Sequence, residues 1–220
     1  EKAVIGNGVT ALSTSNAVWN ASNWGIKDDE REGCFEGCIN LKEVTLGSGI
    51  ISIGTDTFAG TQVTTLTIPG KVSTISEGAF AGAKQLKNIY FTGNWAASVG
   101  GRIFENIADG YTDHYIANKI GYDDLAYNKA TFTPVTVTFD NNSEDVFAAP
   151  TEAQVLAPVG GYVIEPINPT AFGYHFVGWY KDTDFTESWS VVFDRMPETE
   201  LILYGKFVPQ YTARFALNLT

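Results

Sequence analysis

Few residues of this chain have the types and spacing that chemistry needs. Its two cysteines, Cys34 and Cys38, stand as Cys-x₃-Cys in the stretch CFEGCINLKEVTL. That spacing is compatible with a metal site, a redox pair, a local disulfide or two packing thiols. Two thiolates fall short of a tetrahedral zinc site, and the two histidines, His114 and His175, lie far away in sequence. Carboxylates occur in pairs: Asp28 with Asp29, Asp123 with Asp124, and Asp182 with Asp184. Asp140, Asn142 and Asp145 imitate a calcium loop, but EF-hand spacing is absent. Acidic loops of this kind are ordinarily solvated faces. Gly-x-Ser-x-Gly, His-Glu-x-x-His, phosphate-loop and dinucleotide fingerprints are all missing. The expectation is a protein without catalytic residues, metal or cofactor.

Charge narrows the partners. The 14 Lys and Arg are outnumbered by 25 Asp and Glu, a net charge of −11 that repels phosphate backbones and anionic lipid. No block of basic residues offsets it, so nucleic acid is not an expected partner. No apolar run approaches the roughly 18 residues of a membrane span. With 22 Gly and a single Met, the composition points to strands and turns rather than helices. The first residue, Glu1, is not Met, as expected of a mature or trimmed fragment from which an export signal could have been removed.

The elements that would position these residues repeat. Phe35-Glu36-Gly37, Phe58-Ala59-Gly60 and Phe80-Ala81-Gly82 are spaced by 23 and then 22 residues. Downstream, apolar residues fall in register at Leu41, Val63 and Leu86, at Val44, Leu66 and Ile89, and at Leu46, Ile68 and Phe91. Ile50 matches Val72, and Ile53 matches Ile75. A partial earlier copy has Ile5, Val9 and Leu12, and a degraded later one begins near Phe104, 24 residues after Phe80. Within each unit, EVTL, TLTI and NIYF alternate as short strands do. Gly37, Gly60 and Gly82 suit a tight backbone corner. A unit this small cannot bury its own apolar face, so stacked neighbours must make the core: a solenoid.

Register bears on the cysteines. Cys34 aligns with Thr57 and Ala79, and Cys38 with Thr61 and Ala83, all small residues. Packing thiols are the favoured expectation, and a local disulfide stays open. AFAGAKQLKNIYF, TLTIPGKVSTISEGAF and CFEGCINLKEVTL resemble the BspA-type leucine-rich repeats of bacterial surface proteins. Ile68, Pro69, Val72, Ile75, Ala79, Phe80 and Leu86 carry the resemblance, with Ala83 where that family often has Cys.

The repeat breaks twice. An insertion between Leu12 and Phe35 holds Trp19, Trp24 and the charged run from Lys27 to Glu32. It either folds over the end of the core or offers Trp rings for stacking on a sugar or peptide. From Trp95 to Phe132 runs a second departure, with Arg102, Tyr111, His114, Tyr115, Tyr122 and Tyr127, in which IGYDDLAYNKA could form a short helix. A cap over the last rung is one reading; a ligand patch is the other.

After Pro134 the pattern changes. Pro169, Gly173, Tyr174, Phe176, Gly178, Trp179, Tyr180, Trp189, Leu203 and Tyr204 resemble the Listeria–Bacteroides repeat, also called the internalin B-repeat, with Phe207 where Trp is frequent. The resemblance implies a small β-grasp-like fold with one short helix on a sheet. Its aromatics are expected mainly as core, with Trp179 and Tyr180 on opposite faces of a strand. YTARFALNLT from Tyr211 echoes VTVTFDNNSE from Val135. The expected organisation is a mainly β chain: a leucine-rich-repeat solenoid with its cap over 1–133, a β-grasp-like α+β module over 134–208, and the truncated start of a further module over 209–220.

The resemblance implies an extracellular or cell-surface bacterial protein that mediates adhesion or protein–protein interaction. Its expected partner is a protein or glycan on a host or microbial surface. Candidate ligand-binding residues are the outward strand positions Lys42, Glu43, Thr45, Thr65, Thr67, Asn88 and Tyr90, with Trp19, Trp24 and Trp95. The alternatives are a structural spacer without a ligand of its own and a carbohydrate-binding module that uses the tryptophans.

Overall fold

The computed structural model of the chain describes residues 1–6, 8–12, 33–122, 128–142, 154–190 and 193–210. Ten short strands build the N-terminal part: β1 (Lys2–Val4), β2 (Ala11–Leu12), β3 (Glu43–Thr45), β4 (Ser52–Ile53), β5 (Thr65–Ile68), β6 (Thr74–Ile75), β7 (Asn88–Phe91), β8 (Ser98–Val99), β9 (Thr112–Ile116) and β10 (Lys129–Phe132). They pair in parallel, rung on rung, in two separate ladders. One runs β2-β4-β6-β8; the other runs β5-β7-β9-β10, with β1 beside β3 as a two-stranded sheet of its own. Register follows the repeat: Leu66 pairs with Ile89, and Ile53 lies between Leu12 and Ile75. The period-2 alternation turns Val44, Leu66, Ile68, Ile89 and Phe91 inward, all buried.

A third line of contacts closes each rung. Phe35, Phe58, Phe80 and Phe104 stack ring on ring, with centroids 5.5, 5.9 and 5.7 Å apart and planes within 13° of parallel. Their amides donate to the next rung: Phe35 N–H to the Thr57 carbonyl, Phe58 N–H to Ala79, and Phe80 N–H to Ile103, at 2.8–3.0 Å. Gly37, Gly60 and Gly82 take φ of 67°, 67° and 69° at the corner after each ring. In the fourth rung Asn106 holds the corner at φ 54°, a side chain that tolerates the left-handed region better than most. The repeat is therefore a backbone rule as much as a packing rule.

The cysteines depart from expectation. Cys34 and Cys38 are free and exposed, whereas Thr57, Thr61, Ala79 and Ala83 in the same register are fully buried. Register fixes which way a side chain points, but a neighbouring rung must cover it. Among the described residues the Cys34 rung has such a neighbour on one side only. At the other end Trp95, half-buried, packs 5.0 Å from Phe91 and 5.6 Å from Tyr122. The Tyr122 hydroxyl donates to the Gly93 carbonyl at 3.1 Å. Residues 123–127, where a short helix is expected, lie outside the described residues.

Four further strands follow among the described residues: β11 (Val135–Asp140), β12 (Gln154–Ala157), β13 (Tyr174–Tyr180) and β14 (Leu201–Pro209). Their order is β12-β11-β14-β13, with the central pair parallel and the outer pairs antiparallel. Val137, Phe139, Ala157, Val163, Trp179, Trp189, Met196 and Leu203 form a second core, separate from that of the rungs. Trp179 is buried and Tyr180 half-buried, the split that strand alternation predicts. The chain is mainly β and, among the described residues, has no helix. The helix implied for this module is not among them, and residues 143–153 lie outside the description.

Candidate interaction surface

Parallel register turns the repeat into rows of outward side chains. Thr65, Asn88 and Thr112 form one row across β5, β7 and β9; Thr67, Tyr90 and His114 form the next. Tyr90 and His114 stack with centroids 4.4 Å apart, and Phe132 meets the Tyr90 ring edge-on at 5.2 Å. His114 Nε2 lies 2.9 Å from the Asn88 side-chain oxygen, across the diagonal of the ladder. Partial burial holds the His114 pKa below its ordinary value, so the ring is neutral at neutral pH and stacks as an aromatic. The result is a half-exposed aromatic step with a polar border.

Toward the first rung the same face meets the C-terminal module. Lys42, Glu43, Thr64, Thr65 and Thr67 line a cavity of about 270 Å³ together with Gly160, Gly161, Tyr162 and Arg195. The Tyr162 hydroxyl donates a hydrogen bond to Glu43, and Arg195 lies 3.2 Å from the other Glu43 oxygen. Lys2, opposite Glu43 on β1, lies 3.9 Å from it. Lys2 Nζ and Arg195 Cζ lie over the Tyr162 ring, 3.2 and 3.4 Å from its centroid. The Tyr162 hydrogen bond, with Arg195 and Lys2, holds the Glu43 carboxyl below its usual range despite partial desolvation. Burial and the Glu43 contact push the Tyr162 hydroxyl up to about 12.

The sequence-derived candidates therefore separate. Lys42, Glu43, Thr65 and Thr67 share the cavity at the module boundary; Asn88 and Tyr90 belong to the aromatic step. Thr45, expected outward, is 6 % exposed and offers no surface to a ligand. Trp95 packs against the end of the rung core. Trp19 and Trp24, and the charged run beside them, lie outside the described residues. His114 and Phe132, from the stretch that the sequence leaves open between a cap and a ligand patch, join the site. The signal was present for His114, which follows Tyr90 by 24 residues, the spacing from Phe80 to Phe104. Tyr162 and Arg195 carried no such signal.

The remaining acidic candidates have local roles. Asp182 accepts amide N–H bonds from Thr186 and Glu187, which hold its pKa low. Among the described residues no three His, Cys, Asp or Glu side chains are grouped as metal ligands. His175 is exposed on β13. Inside the stack, Asp113 is fully buried with both carboxylate oxygens unpartnered, and burial pushes its pKa up to about 7.

Residues 31–123 match the BspA type leucine rich repeat region, in six copies, and residues 136–206 match the Listeria-Bacteroides repeat domain. Both segments are what their residues resemble. A protein of Evansella cellulosilytica named as a membrane protein is 33 % identical over 93 residues, 42 % of this chain and 13 % of that protein. Another from that organism, named as a Gly-rich membrane protein, is 28 % identical over 102 residues, 46 % of this chain and 11 % of its own length. Internalin H of Listeria monocytogenes is 32 % identical over 68 residues, 30 % of this chain and 12 % of that protein. The chain thus matches only about an eighth of the length of these curated relatives. Among the described residues no helix is long and apolar enough to cross a membrane.

Proposed function

We propose that this chain is a non-enzymatic, surface-associated segment of a bacterial protein that binds another protein through the outward face of a leucine-rich-repeat solenoid. The observation that carries the reading is the aromatic step of Tyr90, His114 and Phe132 on parallel strands, bordered by Asn88. Partly desolvated tyrosines with a polar rim are where interfaces concentrate their binding energy, and stacked repeats present extended faces. Two repeat families of interaction modules, and relatives named as membrane proteins or internalin, support a place at the cell surface. The rungs over 1–133 supply the face. The β-grasp-like module over 134–208 is a second unit, whose central parallel pair with antiparallel edges is in keeping with that fold.

Adhesion to a host or microbial surface is the form of interaction favoured here. The test is a binding screen of the full chain against immobilised extracellular-matrix proteins and a glycan array. Saturable binding to a protein supports the reading. Binding to glycans alone replaces it with a carbohydrate-binding module, and silence from a folded chain replaces it with a spacer.

A further inference from the structure

The join between the rungs and the C-terminal module is incompletely packed. Two cavities of about 250 and 270 Å³ remain at it, one lined by Pro69, Gly70 and Thr92 against Val155, Leu156 and Ile164, the other around Glu43. Between them along the chain, Thr45 is buried although strand alternation turns it outward. What fastens the module is concentrated on one carboxylate: Glu43 binds Tyr162 and Arg195 of the module and neighbours Lys2, and both cations lie over the Tyr162 ring. On the module, the Gly160 amide donates to the Met196 carbonyl and the Met196 amide to the Gly161 carbonyl, which ties the Tyr162 segment to that of Arg195.

Interfaces between domains of one chain that leave space at the join permit relative motion. Glu43 and Arg195 side chains keep 44 % and 43 % of their exposure, so water and salt reach the pair. We propose that Glu43, Tyr162 and Arg195 form an openable latch that closes the C-terminal module over the first rungs. Closed, it leaves Lys42 and Thr65 exposed to solvent but walls the cavity they line with Tyr162 and Arg195. Open, it frees Glu43 and the threonine-lined side of that cavity. A protein that presents an arginine beside an aromatic ring is the chemistry that competes for Glu43. The inference builds on the interaction-surface reading above, but its test needs no ligand.

Small-angle X-ray scattering of the full chain measures the closure directly. A compact chain of this length has a radius of gyration of about 17 Å, and docking is expected to keep the wild type near that value. Glu43→Arg and Arg195→Glu should each raise the radius by about a tenth to a fifth, and the double swap should reverse most of the rise. Tyr162→Ala, at a partly exposed site, gives an independent opening variant, and circular dichroism verifies that every variant is folded. A wild type already extended overturns the proposal. So do single reversals that leave the radius unchanged, or a double swap that stays open. Loss of ligand binding with an intact latch would instead count against the interaction-surface reading alone.

Discussion

Phe80→Ala removes one of the two inner rings of the four-ring stack, and the structure says how much that costs. The Phe80 side chain is fully buried, with Phe58 at 5.9 Å on one side and Phe104 at 5.7 Å on the other. Loss of burial alone costs about 1.5–3 kcal/mol, and a cavity between two rungs that backbone hydrogen bonds hold apart cannot collapse freely. Measured Phe→Ala changes in cores run to about 3–5 kcal/mol. Two aromatic contacts place this site toward the upper end. Phe35 supplies the internal comparison: it is half-buried and has one stacking neighbour, so Phe35→Ala should cost about 1–2 kcal/mol. Urea unfolding followed by circular dichroism gives both values, with the slope checking that the transition remains cooperative. A Phe80→Ala cost below about 1 kcal/mol, or one equal to that of Phe35→Ala, refutes the stacked-ring account.

Asp113 should make stability fall as pH rises. Its pKa is about 7 in the folded chain against an ordinary 3.8, so folding favours the protonated form. The stabilisation is full below about pH 3.8, declines between there and about 7, and is gone above. The pKa difference sets an upper limit of about 4 kcal/mol. Asp113→Asn should match the wild type near pH 4 and exceed it at pH 8; equal stability at both contradicts the burial argument. Gly93→Ala should cost more than Gly37→Ala in thermal melts. A Cβ at Gly93 overlaps the Gly70 backbone of the preceding rung, whereas at Gly37 it meets only open space and an unfavourable positive φ. Both cysteines of the native chain should react rapidly with a thiol reagent and leave the melting temperature unchanged, since they are exposed and free; protection of either contradicts their exposure.

What was legible in the sequence was whatever one rung does to the next. The spacing of Phe35, Phe58, Phe80 and Phe104 fixed the ring stack, and the glycine corners followed with it. Asp113 was not legible: TDHYI has no clear alternation, and only the pairing with Ile89 puts the carboxylate inward. Cys34 and Cys38 were misjudged because a shared register sets direction but not cover. The Glu43 contacts with Tyr162 and Arg195 span 119 and 152 residues and follow no period. They arise from docking of two separately built cores, and no local pattern encodes docking.

The central claim is that the outward face of β7, β9 and β10 recognises a protein. It is tested most directly by the affinity of the full chain for the protein identified in the matrix screen, measured beside Tyr90→Ala and Thr74→Ala. Tyr90 lies on the aromatic step, and Thr74 lies in the other ladder. The account predicts at least about a thirtyfold loss for Tyr90→Ala, the scale of a hot-spot residue, with Thr74→Ala unchanged and both variants folded. Equal affinity for all three proteins, or a loss confined to Thr74→Ala, would contradict it.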